Sequence, residues 1–539
     1  MKIIDGQLFK EMMISGTNNL FNHYPEIDAL NVFPVPDGDT GMNMNLTLSS
    51  GAKEIANRND TNIADMAKAF SRGLLMGARG NSGVITSQIF RGFAKGVEGK
   101  ETLDAIAFAE ALVNGTTVAY KAVMKPVEGT ILTVIRESSD ALVNKIKDGD
   151  SIEKAFEILI KAAKVSLAHT PELLPVLKEV GVVDSGGAGL IKIFEGMESA
   201  LKGKMVEKKA LSEIEASISG DAEEGYCLEF VLNLGGEDKK VFSEKRFESA
   251  LAKYGAVKEF KANSEELYLH IHTGVPGNLI NFALSYGEFS KIKFENMKEG
   301  HTESNFELKG DVEDNSPLKD FGIIAVSAGK GLDEFFKETG VNYIVSGGQT
   351  MNPSTEDFVA AIKKVHAKNV FILPNNSNII LAASQACQVY KDDEVNARVI
   401  ETKTIPQGLV AAMSFNSEED ADTNFENMNA AIEMVKSGSV TYAIRDTDID
   451  GVHVTKDYYM GMVGKQILSC EKDKFKTLFK LLEQMIDEDS AIITIIVGED
   501  IKDEEMDYIQ AKLASKHPDI DLDVRRGDQP VYSFFVGIE

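Results

Sequence analysis

Through the first two hundred residues, apolar side chains recur three and four positions apart, and alternation of β-branched residues is scarce. That spacing puts the apolar positions on one face of a helix. It predicts helices over Gly6–Tyr24, Ile63–Met76, Thr102–Met124, Ile131–Ile146, Ile152–Ala168 and Gly189–Leu201, separated by Gly-rich loops. A ring of such helices closing on itself brings alternate loops to one end. A charged stretch over 202–224 then reads as a linker. From Tyr226 the period drops to two: Tyr226–Leu232, Leu267–Thr273 and Ser290–Met297 read as strands, with helices over Glu244–Tyr254 and Leu279–Tyr286. After a second polar link, His301–Lys319, strands and helices alternate. Strands are expected at Phe321–Val326, Tyr343–Ser346, Val370–Leu373 and Ala397–Glu401, with helices at Leu332–Thr339, Thr355–His366 and Ile379–Tyr390. Further strands fall at Val440–Ala443, Ala491–Val497 and Asp521–Val524. Such alternation implies a parallel sheet with crossover helices. The expected fold is multidomain: an all-α helical barrel over 1–203, a small α/β domain over 222–302, and a larger α/β domain over 318–539.

Length and charge sharpen this reading. At 539 residues the chain exceeds what one hydrophobic core usually serves. A net charge of -27 argues against a nucleic-acid partner and against a membrane held by basic residues. No apolar run is long enough to span a bilayer. The three cysteines, Cys227, Cys387 and Cys470, are too few and scattered for a disulfide framework, which points to a reducing, cytoplasmic setting.

The candidate chemistry centres on Asn31-Val32-Phe33-Pro34-Val35-Pro36-Asp37-Gly38-Asp39-Thr40-Gly41-Met42-Asn43. Asp37 and Asp39 flank one glycine in a Pro-bounded turn, so their oxygens can converge on a hard divalent cation, with Asn31 as a neutral third donor. Helical pattern resumes at Thr40, and a helix N-terminus there offers N–H groups to phosphate. A polar Asp/Gly surface turn is the plain alternative. Met76–Val84 carries Arg79, Asn81, Ser82 and Gly83 in a Gly-rich loop ahead of another helix. Gly129-Thr130-Ile131 and Asp184-Ser185-Gly186-Gly187 have the same character. No Walker A or GxGxxG pattern occurs, which disfavours a standard P-loop or Rossmann site.

The first loop resembles the nucleotide loop of the dihydroxyacetone kinase L-type domain, and its Asn31 and Thr40 make it similar to the catalytic subunit of bacterial fatty acid kinase. The four segments match in order over some 200 residues. The resemblance implies ATP with two Mg2+ ions on Asp37, Asp39 and Asn31. Thr40, Gly41, Met42, Asn43, Asn81, Ser82 and Gly83 fall in its phosphate loops, and Arg79 neutralises the transferring phosphoryl group. Thr130 and Ile131 line the adenine pocket, and Asp184, Ser185, Gly186 and Gly187 close it. Dihydroxyacetone kinases usually have Asp at the position of Asn31 and His at that of Thr40, so this chain is expected to serve another acceptor. In fatty acid kinase that acceptor is a fatty acid carboxylate presented by a separate DegV-like carrier, giving acyl phosphate for phospholipid synthesis. A carboxylate is ionised at pH 7 and needs no general base, and none is evident in the loop. A self-contained dihydroxyacetone-type kinase and a non-catalytic nucleotide sensor are the rival readings. By analogy with the L-type family, a homodimer is expected.

In the middle region His270 and His272 lie two apart on one strand, so both face the same way. With Cys227 they suit Zn2+, or they form an ordinary polar face. The fatty acid kinase resemblance implies zinc. The region after 318 resembles the DegV-like fold, but Gly347-Gly348-Gln349-Thr350-Met351-Asn352-Pro353 replaces the family's Ser/Thr-rich carboxylate loop. A docking or regulatory role is therefore expected of it, with the loops 347–354 and 373–378 at the strand ends where open α/β sheets bind ligands.

Overall fold

The computed structural model describes residues 3–31, 38–209, 226–234, 256–262, 266–273, 276–284, 286–296, 317–348, 352–390 and 394–539, with 247, 251 and 392 singly and apart from 444–445, 450–451 and 465. The chain forms two compact units, one from Met1–Lys208 together with Asp314–Glu539, the other from Lys209–Glu313.

The first part of the larger unit is helical. Its helices are α1 (Gly6–Phe21), α2 (Tyr24–Asp28), α3 (Thr40–Ile55), α4 (Ile63–Gly77), α5 (Gly80–Gly96), α6 (Ala105–Ala122), α7 (Ile131–Lys145), α8 (Ile152–Leu173), α9 (Pro175–Val180) and α10 (Ser185–Leu201). Side-chain caps start most of the long ones: Asp5, Asn62, Asp104, Thr130, Ser151 and Asp184 each accept from an amide of the first turn. Successive helices pack together and α10 returns to α1, closing the ring. The closure is tight: a Cβ on Gly196 would fall 2.7 Å from the Gly16 Cα. Inside runs one apolar cluster that includes Phe9, Phe70, Phe90, Phe93, Phe108 and Phe156, linked by ring contacts.

Three helix boundaries depart from expectation. The predicted Gly6–Tyr24 helix stops at Phe21, and a separate α2 begins beside Pro25, whose ring cannot continue a helix from behind. Helix α8 instead runs past Ala168 through Pro171. The proline has no N–H for the Leu167 carbonyl, and Thr170 Oγ1 donates to it at 2.7 Å instead. Helix α10 begins at Ser185, not Gly189, because the Asp184 cap offsets the poor propensity of the glycines that follow.

The smaller unit is an antiparallel sheet of β1 (Tyr226–Leu234), β2 (Ala256–Ala262), β3 (Glu266–Thr273) and β4 (Gly287–Asn296), in the order β2-β3-β1-β4, with α11 (Pro276–Leu284). Strand β2 is an addition to the elements expected from the sequence. The Glu244–Tyr254 helix falls outside the described residues except for Phe247 and Leu251, both buried.

The remainder of the larger unit contains β5 (Lys319–Ser327), α12 (Lys330–Glu338), β6 (Tyr343–Ser346), α13 (Thr355–Val365), β7 (Ala367–Leu373), α14 (Ile380–Val389) and β8 (Asn396–Val399). These four strands are parallel, in the order β6-β5-β7-β8, as the alternation implies. The rest departs from it. After α15 (Ile405–Met413) and α16 (Ala421–Met434) come β9 (Lys436–Tyr442), β10 (Thr447–Ile449), β11 (Val452–Val454), β12 (Tyr459–Val463), β13 (Gln466–Glu471), α17 (Lys474–Met485), β14 (Ile492–Val497), α18 (Asp503–Lys516), β15 (Asp521–Arg526) and β16 (Tyr532–Ile538). Six of these strands form a sheet ordered β13-β12-β9-β16-β14-β15, in which only β14 and β15 pair in parallel. Part of the reversal is local: β12 and β13 are joined by a short turn at Gly464 (φ 58°), which admits only antiparallel pairing, whereas β9 and β16 pair antiparallel over a long separation.

Candidate functional site

The loops before α3, α5, α7 and α10 converge, and Thr40 is their hub. Ser82 Oγ donates to the Thr40 carbonyl at 3.4 Å, and Ser185 Oγ donates to Thr40 Oγ1 at 3.2 Å. At the other end Gly186 lies against Ile131, with room for only a 3.1 Å contact to its Cβ. Four helix N-termini therefore meet, each with the partial positive charge that favours an anion, although the amides of Gly41, Met42, Leu132 and Gly187 already serve Asp28, Thr130 and Asp184. The glycines make the approach possible. Gly80 takes a left-handed backbone (φ 57°), and a Cβ on it would sit 2.6 Å from Asn43 Nδ2.

Asp39 stands at the N-cap position of α3 with its carboxyl largely enclosed, and burial raises its pKa to about 6. Asn31 is buried, and its backbone amide donates to the Asp28 carbonyl at 3.0 Å. Asn43 is buried one turn into α3, where its backbone holds Thr47 Oγ1. Arg79 pairs its backbone N–H with Thr47 Oγ1 at 3.2 Å. The Asp184 carboxyl accepts from the Gly187 amide at 2.7 Å, and burial raises its pKa to about 6. Thr130 caps α7 and donates to the Val127 carbonyl at 2.7 Å. Asp37 lies outside the described residues, as do Val32 to Pro36.

The motif reading missed Asp28. Its Oδ1 accepts from the Gly41 amide at 2.6 Å and the Met42 amide at 3.2 Å. Burial lifts its pKa to about 7, with a smaller push from the Asp39 charge. Two enclosed carboxylates, both raised by burial, form a site that a divalent cation would neutralise, so the residues present fit a hard metal. Among the described residues no group of three or more His, Cys, Asp and Glu side chains is placed to hold one. No sequence signal marks Asp28: with Glu26 it is one of two acids in a short helix.

Also missed were contacts from the far end of the chain. Asn352 Nδ2 donates to Asp39 Oδ2 at 2.6 Å, and Arg79 donates to the Asn352 carbonyl at 2.9 Å. Asn81 Nδ2 donates to Asn378 Oδ1 at 3.2 Å. Gln88 Nε2 donates to Gln385 Oε1 at 2.7 Å, while Gln385 Nε2 reaches the Leu75 carbonyl at 2.8 Å. Ala78 and Val84 belong to the same apolar cluster as Phe358, Ile362 and Ala383. What the carboxyl edge of the parallel sheet meets is thus the phosphate-loop end of the helical ring.

In the smaller unit the β1–β3 register sets Cys227 opposite His272 and Glu229 opposite His270. The side chains of Cys227, His270 and His272 lie outside the described part.

Three family models cover the chain: a DAK2 domain over residues 34–199, the middle domain of FakA-like fatty acid kinase proteins over 223–304, and the C-terminal region of the same proteins over 322–539. The chain belongs to the FakA-like family of fatty acid kinase proteins. Protein YloV of Bacillus subtilis is 44% identical over 554 residues, covering 100% of both chains. An uncharacterized protein of Staphylococcus saprophyticus is 44% identical over 552 residues, covering 99% of each. Among solved structures, the dihydroxyacetone kinase of C. freundii in complex with AMP-PNP and Mg2+ matches 36% of this chain and 34% of its own, at 19% identity and TM-score 0.29. The Streptococcus pneumoniae fatty acid kinase B3 protein loaded with linoleic acid matches 41% of this chain and 99% of its own, at 13% identity and TM-score 0.29. The family's kinase-related domains mark the chain as a phosphotransferase. Among the described residues no helix is long and apolar enough to cross a membrane.

Proposed function

We propose that this chain is the ATP-using subunit of a cytoplasmic, homodimeric fatty acid kinase. It transfers the γ-phosphoryl group of ATP to the carboxylate of a fatty acid held by a separate DegV-family carrier, and the acyl phosphate feeds phospholipid synthesis. The observation that carries this reading is the meeting of four helix N-termini beside two enclosed carboxylates, Asp28 and Asp39, in a chain of this family. Functional segments are assigned to 1–203, 222–302 and 318–539.

Asp37, Asp39 and Asn31 are assigned to two Mg2+ ions; when bound, magnesium supplies charge neutralisation of the phosphates. Thr40, Asn43, Asn81 and Ser82 are assigned to the phosphates, with Gly83 giving them room to approach. The amides of Gly41 and Met42 are committed to Asp28, so these two residues shape the loop. Arg79 brings a guanidinium to the phosphate end. Thr130 and Ile131 are assigned to the adenine, with Asp184, Ser185, Gly186 and Gly187 closing over it. In the transfer, a carboxylate oxygen of the acceptor bonds to the γ-phosphorus as the bond to the β,γ-bridging oxygen breaks, leaving ADP. The acceptor is already ionised, so no side chain has to remove a proton. Separately, Zn2+ is assigned to Cys227, His270 and His272, supported by the register that sets Cys227 opposite His272. Elemental analysis of chelator-free protein tests it.

The deciding experiment gives the protein γ-labelled ATP, Mg2+ and a carrier loaded with oleate, then traps acyl phosphate with hydroxylamine. Acyl hydroxamate formed only when carrier is present, with the label released as inorganic phosphate, supports the proposal. Transfer to dihydroxyacetone without carrier assigns a small-molecule kinase instead. ATP binding with no turnover on any carrier leaves a nucleotide sensor.

A further inference from the structure

Asn352 comes from the C-terminal part of the larger unit, yet its bonds cross to the helical ring. Its Nδ2 donates to Asp39 Oδ2 at 2.6 Å, and its carbonyl accepts from Arg79 at 2.9 Å. Only the amide nitrogen can donate to a carboxylate, so this contact fixes which way the carboxamide faces. The residue is 3% exposed, and its Oδ1 is buried without a partner. The backbone beside it is pinned: the Thr355 amide donates to the Ala78 carbonyl at 3.1 Å, and Arg79 and Ser354 form a bridge. The contacts have a polarity. Asp39, Arg79 and Asn81, at the phosphate end, each take a bond from the C-terminal part beside those that Asn43 and Thr47 give Asp39 and Arg79 from within the ring, whereas the bonds of Thr130, Asp184 and Ser185 stay within the ring.

We propose that Asn352 is a positioning residue of the kinase site, holding the Asp39 carboxylate and the Arg79 guanidinium in place from the C-terminal part of the chain. This rests on the reading of the site as one for magnesium and ATP. Metal-binding carboxylates are themselves held by hydrogen bonds, and loss of such a partner typically weakens metal binding about 10- to 100-fold. Asn352 acts through Asp39, so its effect belongs to the metal and not to the adenine.

The test is calorimetry on the full chain, titrating Mg2+ in the presence of a non-hydrolysable ATP analogue. Asn352→Ala is expected to weaken Mg2+ binding about tenfold or more. Analogue affinity without Mg2+ should stay near wild type, and Asn352→Gln, which keeps the amide, should recover part of the loss. If the Ala variant does not fold, Asn352→Ser, too short to reach Asp39, is read in its place. Unchanged Mg2+ affinity overturns the proposal, and so does tighter binding, which would mean that Asn352 competes with the metal for Asp39. A wild-type chain that binds no Mg2+ with the analogue sinks the underlying reading of the site as well.

Discussion

The Asp28 carboxylate accepts the Gly41 amide at 2.6 Å and thereby caps α3 from outside the motif that opens it. Asp28→Ala removes that acceptor and leaves two first-turn amides, those of Gly41 and Met42, without it. A loss of about 1–3 kcal/mol is expected in denaturant titration, and a smaller one for Asp28→Asn, which can still accept. An unchanged midpoint for the alanine variant would show that the cap contributes nothing.

The same group sets a pH dependence. Its folded pKa of about 7 lies above the ordinary value of 3.8, because burial penalises the charge. Between these values the folded state binds the proton more tightly than the unfolded chain does. Stability from this group is therefore greatest below about pH 4 and declines as pH rises towards 7. In Mg2+-free buffer the stability of wild type relative to Asp28→Asn should fall across that window and level off above it. A flat difference would contradict the assignment.

Asp39→Ala should abolish phosphoryl transfer, by on the order of a thousandfold or more, while the ring stays folded. The same is expected of Asp37→Ala. Circular dichroism checks the fold and the acyl phosphate assay checks the rate. Near-normal turnover of both variants at saturating Mg2+ would remove the Asp-Gly-Asp segment from the site.

Gln385 is buried between Gln88, the Leu75 carbonyl and Thr355, with which its amide makes a 3.1 Å bond. Gln385→Leu strands these partners in an apolar setting and should cost about 1–3 kcal/mol. A double-mutant cycle with Gln88→Leu should return a coupling of about 0.5 kcal/mol or more, as for residues in direct contact. Strict additivity would mean that the observed bond carries no stability.

Gly41→Ala tests the backbone. A Cβ there would fall 2.3 Å from the Tyr24 carbonyl oxygen, a distance that backbone cannot absorb without moving the start of α3. Weaker nucleotide binding together with a lowered melting temperature is expected. Retention of both would show that the loop has slack that the close contact does not suggest.

The parts of the site legible in the sequence are the local ones. Helices start at Thr40, Gly80, Ile131 and Ser185 beside the segments that stand out as motifs, since glycines and caps act within a few residues. The helical ring and the β5–β8 sheet follow directly from hydrophobic period. Strand β16 is harder to read, because Phe535 interrupts the alternation of Tyr532, Phe534, Val536 and Ile538 with Ser533 and Gly537. Asn352 and Gln385 could not be read, because their partners lie hundreds of positions away and an isolated carboxamide carries no pattern. Asp28 escaped for a related reason: its role depends on the packing of α3 against α2.

The larger unit is discontinuous in sequence, and Lys209–Glu313 must be synthesised before its second part begins. At about 5–20 residues per second, the ring waits on the order of ten seconds for the surface that covers its phosphate loops. Arg79, Asn81 and Gln88 are polar, so water can satisfy them during that delay, while the apolar side chains of Met76, Ala78 and Val84 await their partners. A polar seam between the two parts thus suits a nascent chain that has to expose it first.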